Sequence, residues 1–182
     1  MPTHRIVPAL VAFVCVSFTT AIADDLTFGF ETDKDANRVP DEWRLDKATD
    51  PKAVSTDQTV KKSGKAAIRL DDTSEWNYVV VQHMAPVKPN TPYRLKAWAK
   101  TQKTTGPTCI YLTEYHAPGK GRGLLKLHIL IMGRPREWQE FQKEFTTTEK
   151  TGQVRIELCP VGFASMHTGT AWIDDIKLEE AK

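Results

Sequence analysis

The sequence predicts an all-β protein built as an antiparallel β-sandwich. Three observations point there. Helical periodicity is nearly absent. Short β-rich runs recur instead, broken by Gly, Pro, Asn and Asp every ten to twenty residues. Two runs alternate strictly: Tyr93, Leu95, Ala97 and Ala99 against Arg94, Lys96, Trp98 and Lys100, and Val154, Ile156 and Leu158 against Arg155, Glu157 and Cys159. A period of two places one set on a core and the other on the outside. With no crossover helix between the strands, a sandwich is the architecture that buries those faces.

In order, the expected strands are 26–30, 43–45, 53–60, 66–70, 77–83, 93–100, 108–115, 124–132, 137–145, 153–159 and 168–178. Lys62-Ser63-Gly64-Lys65 and Pro89-Asn90-Thr91-Pro92 read as turns, the second with two prolines that remove ladder donors. Ala117 to Gly123 is a Gly-rich connection. It is not a phosphate-binding loop, because the Gly-Lys-Ser/Thr ending and the following helix are missing.

Residues 1–23 read as an export signal. His4 and Arg5 precede an apolar run from Ile6 to Phe18, and Ala21-Ile22-Ala23 is a small-x-small cleavage site. The run is too short for a membrane span. Residues 24–182 are then one domain, secreted, periplasmic or at the cell surface. Their net charge is close to zero, which is no footprint for nucleic acid. Cys15 departs with the signal. Cys109 and Cys159 remain, and an oxidising compartment makes a disulfide the expectation. They sit at the ends of two strands, on the off-core side. A bridge there closes a long loop and adds about 3–4 kcal/mol.

The segment from Thr168 to Leu178 carries the adjacent carboxylates Asp174 and Asp175 inside a strand. One of the two must meet the apolar side, where it needs a cation, backbone N–H groups or a metal. Alternation from Trp172 turns Asp174 inward, and a bulge exchanges the two.

The order of short motifs carries a resemblance. Phe28-Gly29-Phe30-Glu31 precedes Val39-Pro40-Asp41-Glu42-Trp43 and then Ser63-Gly64-Lys65-Ala66-Ala67-Ile68-Arg69-Leu70. Val87 to Lys100, Trp138-Gln139-Glu140-Phe141 and the final Gly169-Thr170-Ala171-Trp172-Ile173-Asp174-Asp175-Ile176 follow. This series resembles the galactose-binding-like jelly-roll domains, and within them the CenC-type carbohydrate-binding modules. The resemblance implies a structural calcium tying the first strand to the last. Its ligands here would be Glu31, the Ser63 to Lys65 backbone, and Asp174 or Asp175.

The resemblance also implies a polysaccharide or glycan as partner, gripped on a concave sheet face. Sugar rings need aromatic platforms and planar hydrogen-bonding groups. The off-core candidates are Trp98, Tyr111, Tyr115, Trp76 and Tyr78, with Arg94, Glu114, Gln82 and His128 as polar partners. Lys96, Lys100, Lys120 and Arg122 leave an anionic glycan open. No nucleophile–base spacing stands out, so a binding protein rather than a polysaccharide lyase or hydrolase is expected. A structural or adhesive protein of the same fold is the alternative.

Overall fold

In the computed structural model, which describes residues 25–74, 79–160 and 168–181, the alternation at Tyr93 to Lys100 holds along a whole strand. Tyr93, Leu95, Ala97, Ala99 and Thr101 are buried, and the residues between them are partly open. Two such faces, one per sheet, enclose the core.

The strands are β1 (Asp25–Phe28), β2 (Arg44–Leu45), β3 (Val54–Asp57), β4 (Ala67–Asp72), β5 (Val81–Pro86), β6 (Pro92–Gln102), β7 (Thr108–His116), β8 (Leu124–Gly133), β9 (Gln139–Thr146), β10 (Thr151–Cys159) and β11 (Gly169–Glu180). A short 3-10 turn, Pro51–Ala53, precedes β3. One sheet runs β3-β4-β11-β6-β9, with β1 also on β11; the other runs β2-β5-β10-β7-β8. Every pairing is antiparallel. From β4 onward, consecutive strands change sheets at each step, except at the β7–β8 hairpin. Phe30, Ile68, Leu70, Leu95, Ile110, Leu112, Ile156, Leu158 and Ile176 meet between the sheets in one apolar cluster, with Trp43 packed into it.

The closing strand departs from simple alternation. β11 pairs β4 over residues 169–173 and β1 over residues 176–179, while β6 runs along its other side. A register shift falls between Asp174 and Lys177, and Asp175 has a left-handed backbone (φ 49°). This is the bulge that alternation left open. It turns both Ile173 and Ile176 into the core. Trp172 therefore lies on the outer side with Asp174, not in the central cluster. It is buried there by Asp57, which accepts its indole N–H at 2.9 Å, and by the Arg69 guanidinium over its ring.

Candidate functional site

The outer face of the five-stranded sheet is a grid set by register. One row runs Arg44, Gln82, Glu157, Tyr111, Ile129; the next runs Met84, Arg155, Thr113, Leu127. Cys159, Cys109 and Ile131 bound it at one end, and Gln153, Tyr115 and Leu124 at the other. The Cys end is closed: Val80, Cys109, Tyr111 and Cys159 form a small buried cluster. The rest has a pattern. Down its middle runs a polar strip whose floor is buried, with Thr113 and Glu157 only 4% and 5% exposed. Glu157 pairs with Arg155 Nη2 at 3.2 Å and accepts the Thr113 hydroxyl at 3.3 Å, and the Arg155 guanidinium stands 5.2 Å from the Tyr115 ring. Arg155 Nε is buried and has no hydrogen-bond partner. A cavity of about 370 Å³ beside it is lined by Glu42, Arg44, Gln82, His83, Met84 and Arg155. On both sides of the strip lie exposed aliphatic side chains: Met84 (42% exposed) on β5, and Leu127 (49%), Ile129 (39%) and Ile131 (64%) on the edge strand β8.

The structure divides the expected binding residues into separate places. Gln82, Tyr111 and Tyr115 share the face just described, although Tyr111 is only 6% exposed and is no open platform. Trp98 and Arg94 lie on β6, on the outside of the other sheet. Strands 6 and 7 are neighbours in sequence but belong to different layers, so Trp98 cannot join the tyrosines. Its ring is covered by Lys62 Nζ at 4.0 Å, and Arg94 is engaged by Glu144. Glu114 and His128 point to the core side and are absent from both outer faces. Trp76 and Tyr78 lie outside the described residues.

A family model described as a carbohydrate binding domain matches residues 26–161. The chain belongs to that family. Its members are binding modules rather than enzymes, and sugars are what they bind. Solved structures of the same fold include the CBM22-1 xylan-binding domain of Paenibacillus barcinonensis Xyn10C, at 13% identity and a TM-score of 0.57, covering 86% of this chain and 94% of that one. A structure titled "CBM4 structure and function" matches at 16% identity and a TM-score of 0.53, covering 88% and 96%. A family 16 carbohydrate binding module matches at 20% identity and a TM-score of 0.53, covering 70% and 86%. These likenesses concern the fold. A search of curated proteins finds no match.

Within this module the Asp174 bulge meets the turn before β4. Asp174, 2% exposed, accepts the Lys62 and Ser63 N–H groups at 2.8 and 3.1 Å on one oxygen and the Asp175 N–H at 2.8 Å on the other. Burial raises its pKa above the ordinary 3.8, and those three N–H groups oppose the rise. Asp175 accepts the Ser63 hydroxyl at 2.6 Å, and Glu31 accepts the Lys65 N–H at 2.5 Å. Glu31, Asp174 and Asp175 thus all reach the 62–65 turn, but among the described residues the three carboxylates are not drawn together within metal-binding distance of one another. Ser63 and Lys65 present N–H rather than carbonyl oxygen to the acids, and the Lys65 carbonyl accepts Lys61 Nζ at 3.2 Å. Among the described residues nothing donates to Glu31 Oε1 or Asp175 Oδ2, hard oxygens of the type calcium takes. Gly64 is required in this turn. Its φ is +58°, and a Cβ would lie 2.2 Å from Glu31 Oε1. A separate trio of carboxylates, Asp33, Asp35 and Asp41, sits in the loop after β1.

Cys109 and Cys159 face each other directly across β7 and β10, as their strand positions implied, but both are free thiols in this structure. Burial raises the pKa of each.

Sequence reasoning passed over the aliphatic half of the face. The signal was present: Leu124 to Met132 is apolar on both parities, more than a strand with one buried side needs.

Glu114 is the fully buried charge of the module. It accepts His128 Nε2 and the Thr148 N–H at 2.6 and 2.8 Å, and the Thr151 hydroxyl donates to it as well. Burial pushes its pKa up, but the Thr151, His128 and Thr148 hydrogen bonds outweigh this and hold it below the ordinary 4.5. A lowered carboxyl pKa adds stability above its unfolded value, and that stability is lost as pH falls through the folded value. Glu114→Gln should therefore cost about 2 kcal/mol at neutral pH, the scale of hydrogen bonds to a charged group. The gap from wild type in urea unfolding should narrow below pH 4.5. A gap that stays constant with pH would contradict the assignment.

Proposed function

We propose that the module binds a linear, largely neutral glycan along the outer face of the five-stranded sheet. The exposed apolar side chains Met84, Leu127 and Ile129 beside the Arg155 guanidinium and Gln82 carry this reading, because sugar rings pair C–H faces with a hydroxyl rim. The geometry around them supports the same ligand. Met84, Leu127 and Ile129 offer apolar surface to sugar C–H faces, and Tyr115, with the Arg155 guanidinium over its ring, offers an aromatic ring at the far end of the strip. Gln82 supplies a planar hydrogen-bonding group in the same row as Glu157, whose buried carboxylate is held by Arg155 and Thr113. Xylan is the first probe, because a neighbour of this fold is described as xylan-binding. In isothermal titration with xylan, Arg155→Ala and Tyr115→Ala should each weaken binding about tenfold, equivalent to about 1.4 kcal/mol. Trp98→Ala, on the other sheet, should leave it unchanged. Binding lost in Trp98→Ala and kept in the other two would overturn the choice of face.

A calcium ion between Glu31 and Asp175 is part of this proposal, with Asp174 as the anchor of the turn rather than a ligand. Calcium added to chelator-treated protein should raise the melting temperature, and Glu31→Gln should abolish the rise. If Asp35→Asn abolishes it instead, the ion sits in the 33–41 loop and the assignment to Glu31 fails.

We also propose export with removal of residues 1–23, and closure of a Cys109–Cys159 bridge in an oxidising compartment. The facing register of the thiols supports the second step. The intact mass of protein exported by its own signal should fit residues 24–182 less a pair of hydrogens, restored on reduction. An uncleaved chain, or one indifferent to reductant, would refute the respective half.

A further inference from the structure

The chain is nearly neutral, yet one cleft gathers four cations, Lys100, Lys103, Arg134 and Arg136, around a concavity. It lies where β6 ends, against the connection from β8 to β9. Two adjoining cavities open there, of about 290 and 570 Å³, and both are lined by Thr101, Lys103 and Arg136. Arg134 lines the smaller one and Lys100 the larger. Among the described residues, Lys103, Arg134 and Arg136 have no carboxylate within ion-pair distance. Lys100 has one, Glu137 at 3.2 Å, which is itself almost fully exposed. Asp57 stands behind the larger cavity, bonded to its lining residues Val60 and Trp172. Its carboxylate is turned to the Trp172 indole N–H and the Thr59 and Val60 N–H groups, which outweigh its burial and hold its pKa at about 2.

The cleft is also braced. Thr101 donates both its backbone N–H and its hydroxyl to the Pro135 carbonyl, at 2.6 and 2.9 Å. Pro135 stands between the two arginines, so this clamp fixes the backbone that carries both. On the other wall the Lys103–Thr105 turn lies flat on β11. Thr105 N–H donates to Thr168 O at 2.9 Å, and a Cβ at Gly169 would fall 2.4 Å from the Thr104 Cα. A rigid concavity with surplus positive charge attracts anions, and an arginine fork matches a planar oxyanion in two parallel hydrogen bonds.

We propose that this cleft is a second glycan site, which takes the oxyanion of an acidic sugar, a uronate carboxylate, on a surface separate from the five-stranded face. The inference goes beyond the neutral-glycan reading and draws on the family only for the chemical class of the ligand. The sulfate ester of a sulfated sugar presents related chemistry, and the test separates the two.

The test is titration of the mature protein with polygalacturonate, dextran sulfate and neutral xylan, using wild type, Arg134→Ala/Arg136→Ala, and Lys47→Ala/Lys52→Ala as a charge-matched control elsewhere on the surface. Polygalacturonate should bind, the arginine pair variant should weaken it by about tenfold or more, and the control should not. Xylan affinity should be the same in all three proteins. Dextran sulfate bound in preference to polygalacturonate, with the same loss in the arginine variant, keeps the cleft but overturns the uronate assignment. Equal weakening by the Lys47/Lys52 control would show diffuse attraction and overturn the site. So would failure of both acidic polymers to bind a protein that still holds xylan. Acidic binding without xylan binding would leave this site standing and refute the neutral-glycan reading instead. Unchanged melting of both variants excludes unfolding as the cause.

Discussion

Asp174 is an anion held in a dry place by three backbone N–H groups, and much of the six-stranded sheet is arranged around it. On one side of β11 the partner changes from β4 to β1, and at the change the strand has no ladder neighbour for its backbone. A gap of that kind in a sheet is costly unless other groups close it. Here the bulge at Asp174 and Asp175 closes it from within, and the 62–65 turn closes it from outside. Glu31, leaving β1, holds the same turn from the far side. Three stretches far apart in sequence are joined by hydrogen bonds to carboxylates. The bulge also corrects the phase of β11, so that residues on both sides of it feed the core.

That arrangement leaves the opposite sheet free to serve as a surface. Its outer face needs no stabilising role, since the core lies behind it and the Asp174 turn lies on the other layer. It exposes aliphatic side chains on an edge strand, a feature that soluble proteins usually suppress because such edges associate. In a sugar-binding family that exposure is what the proposed glycan face calls for. Apolar ridges beside a strip of arginine, glutamate and glutamine suit a ligand with C–H faces and a hydroxyl rim. Some charges on the other sheet are engaged across strands, as with Arg94 and Glu144 on β6 and β9. Lys103, Arg134 and Arg136 instead gather around one pair of adjoining cavities.

The strands were legible because alternation is local: the core residues of Tyr93 to Lys100 and of Val154 to Leu158 follow from the two-residue period of an extended chain. Other features were half legible. Two adjacent acids in the last strand announced that one of them needed a partner, but a bulge depends on what pairs on either side, and alternation alone put Asp174 on the core side. The opposed thiols followed from the ends of their strands. The binding face was the least legible part. Trp98 and Tyr111 each read correctly as off-core, yet they stand on opposite outer surfaces of the sandwich.

What the sequence by itself determined is which side chains face inward on each strand, since that requires only backbone geometry and solvent. The tertiary structure alone decided which strands share a sheet, and therefore which outward residues can touch one ligand. Strand pairing is a long-range choice, made by the whole core at once, and no window of sequence contains it. Glu114 shows the difference well. Its parity with Ile110 and Leu112 already turns it inward, but the groups that make a buried carboxylate tolerable there, Thr148, Thr151 and His128, arrive from other parts of the chain and take it out of the sugar-ligand set.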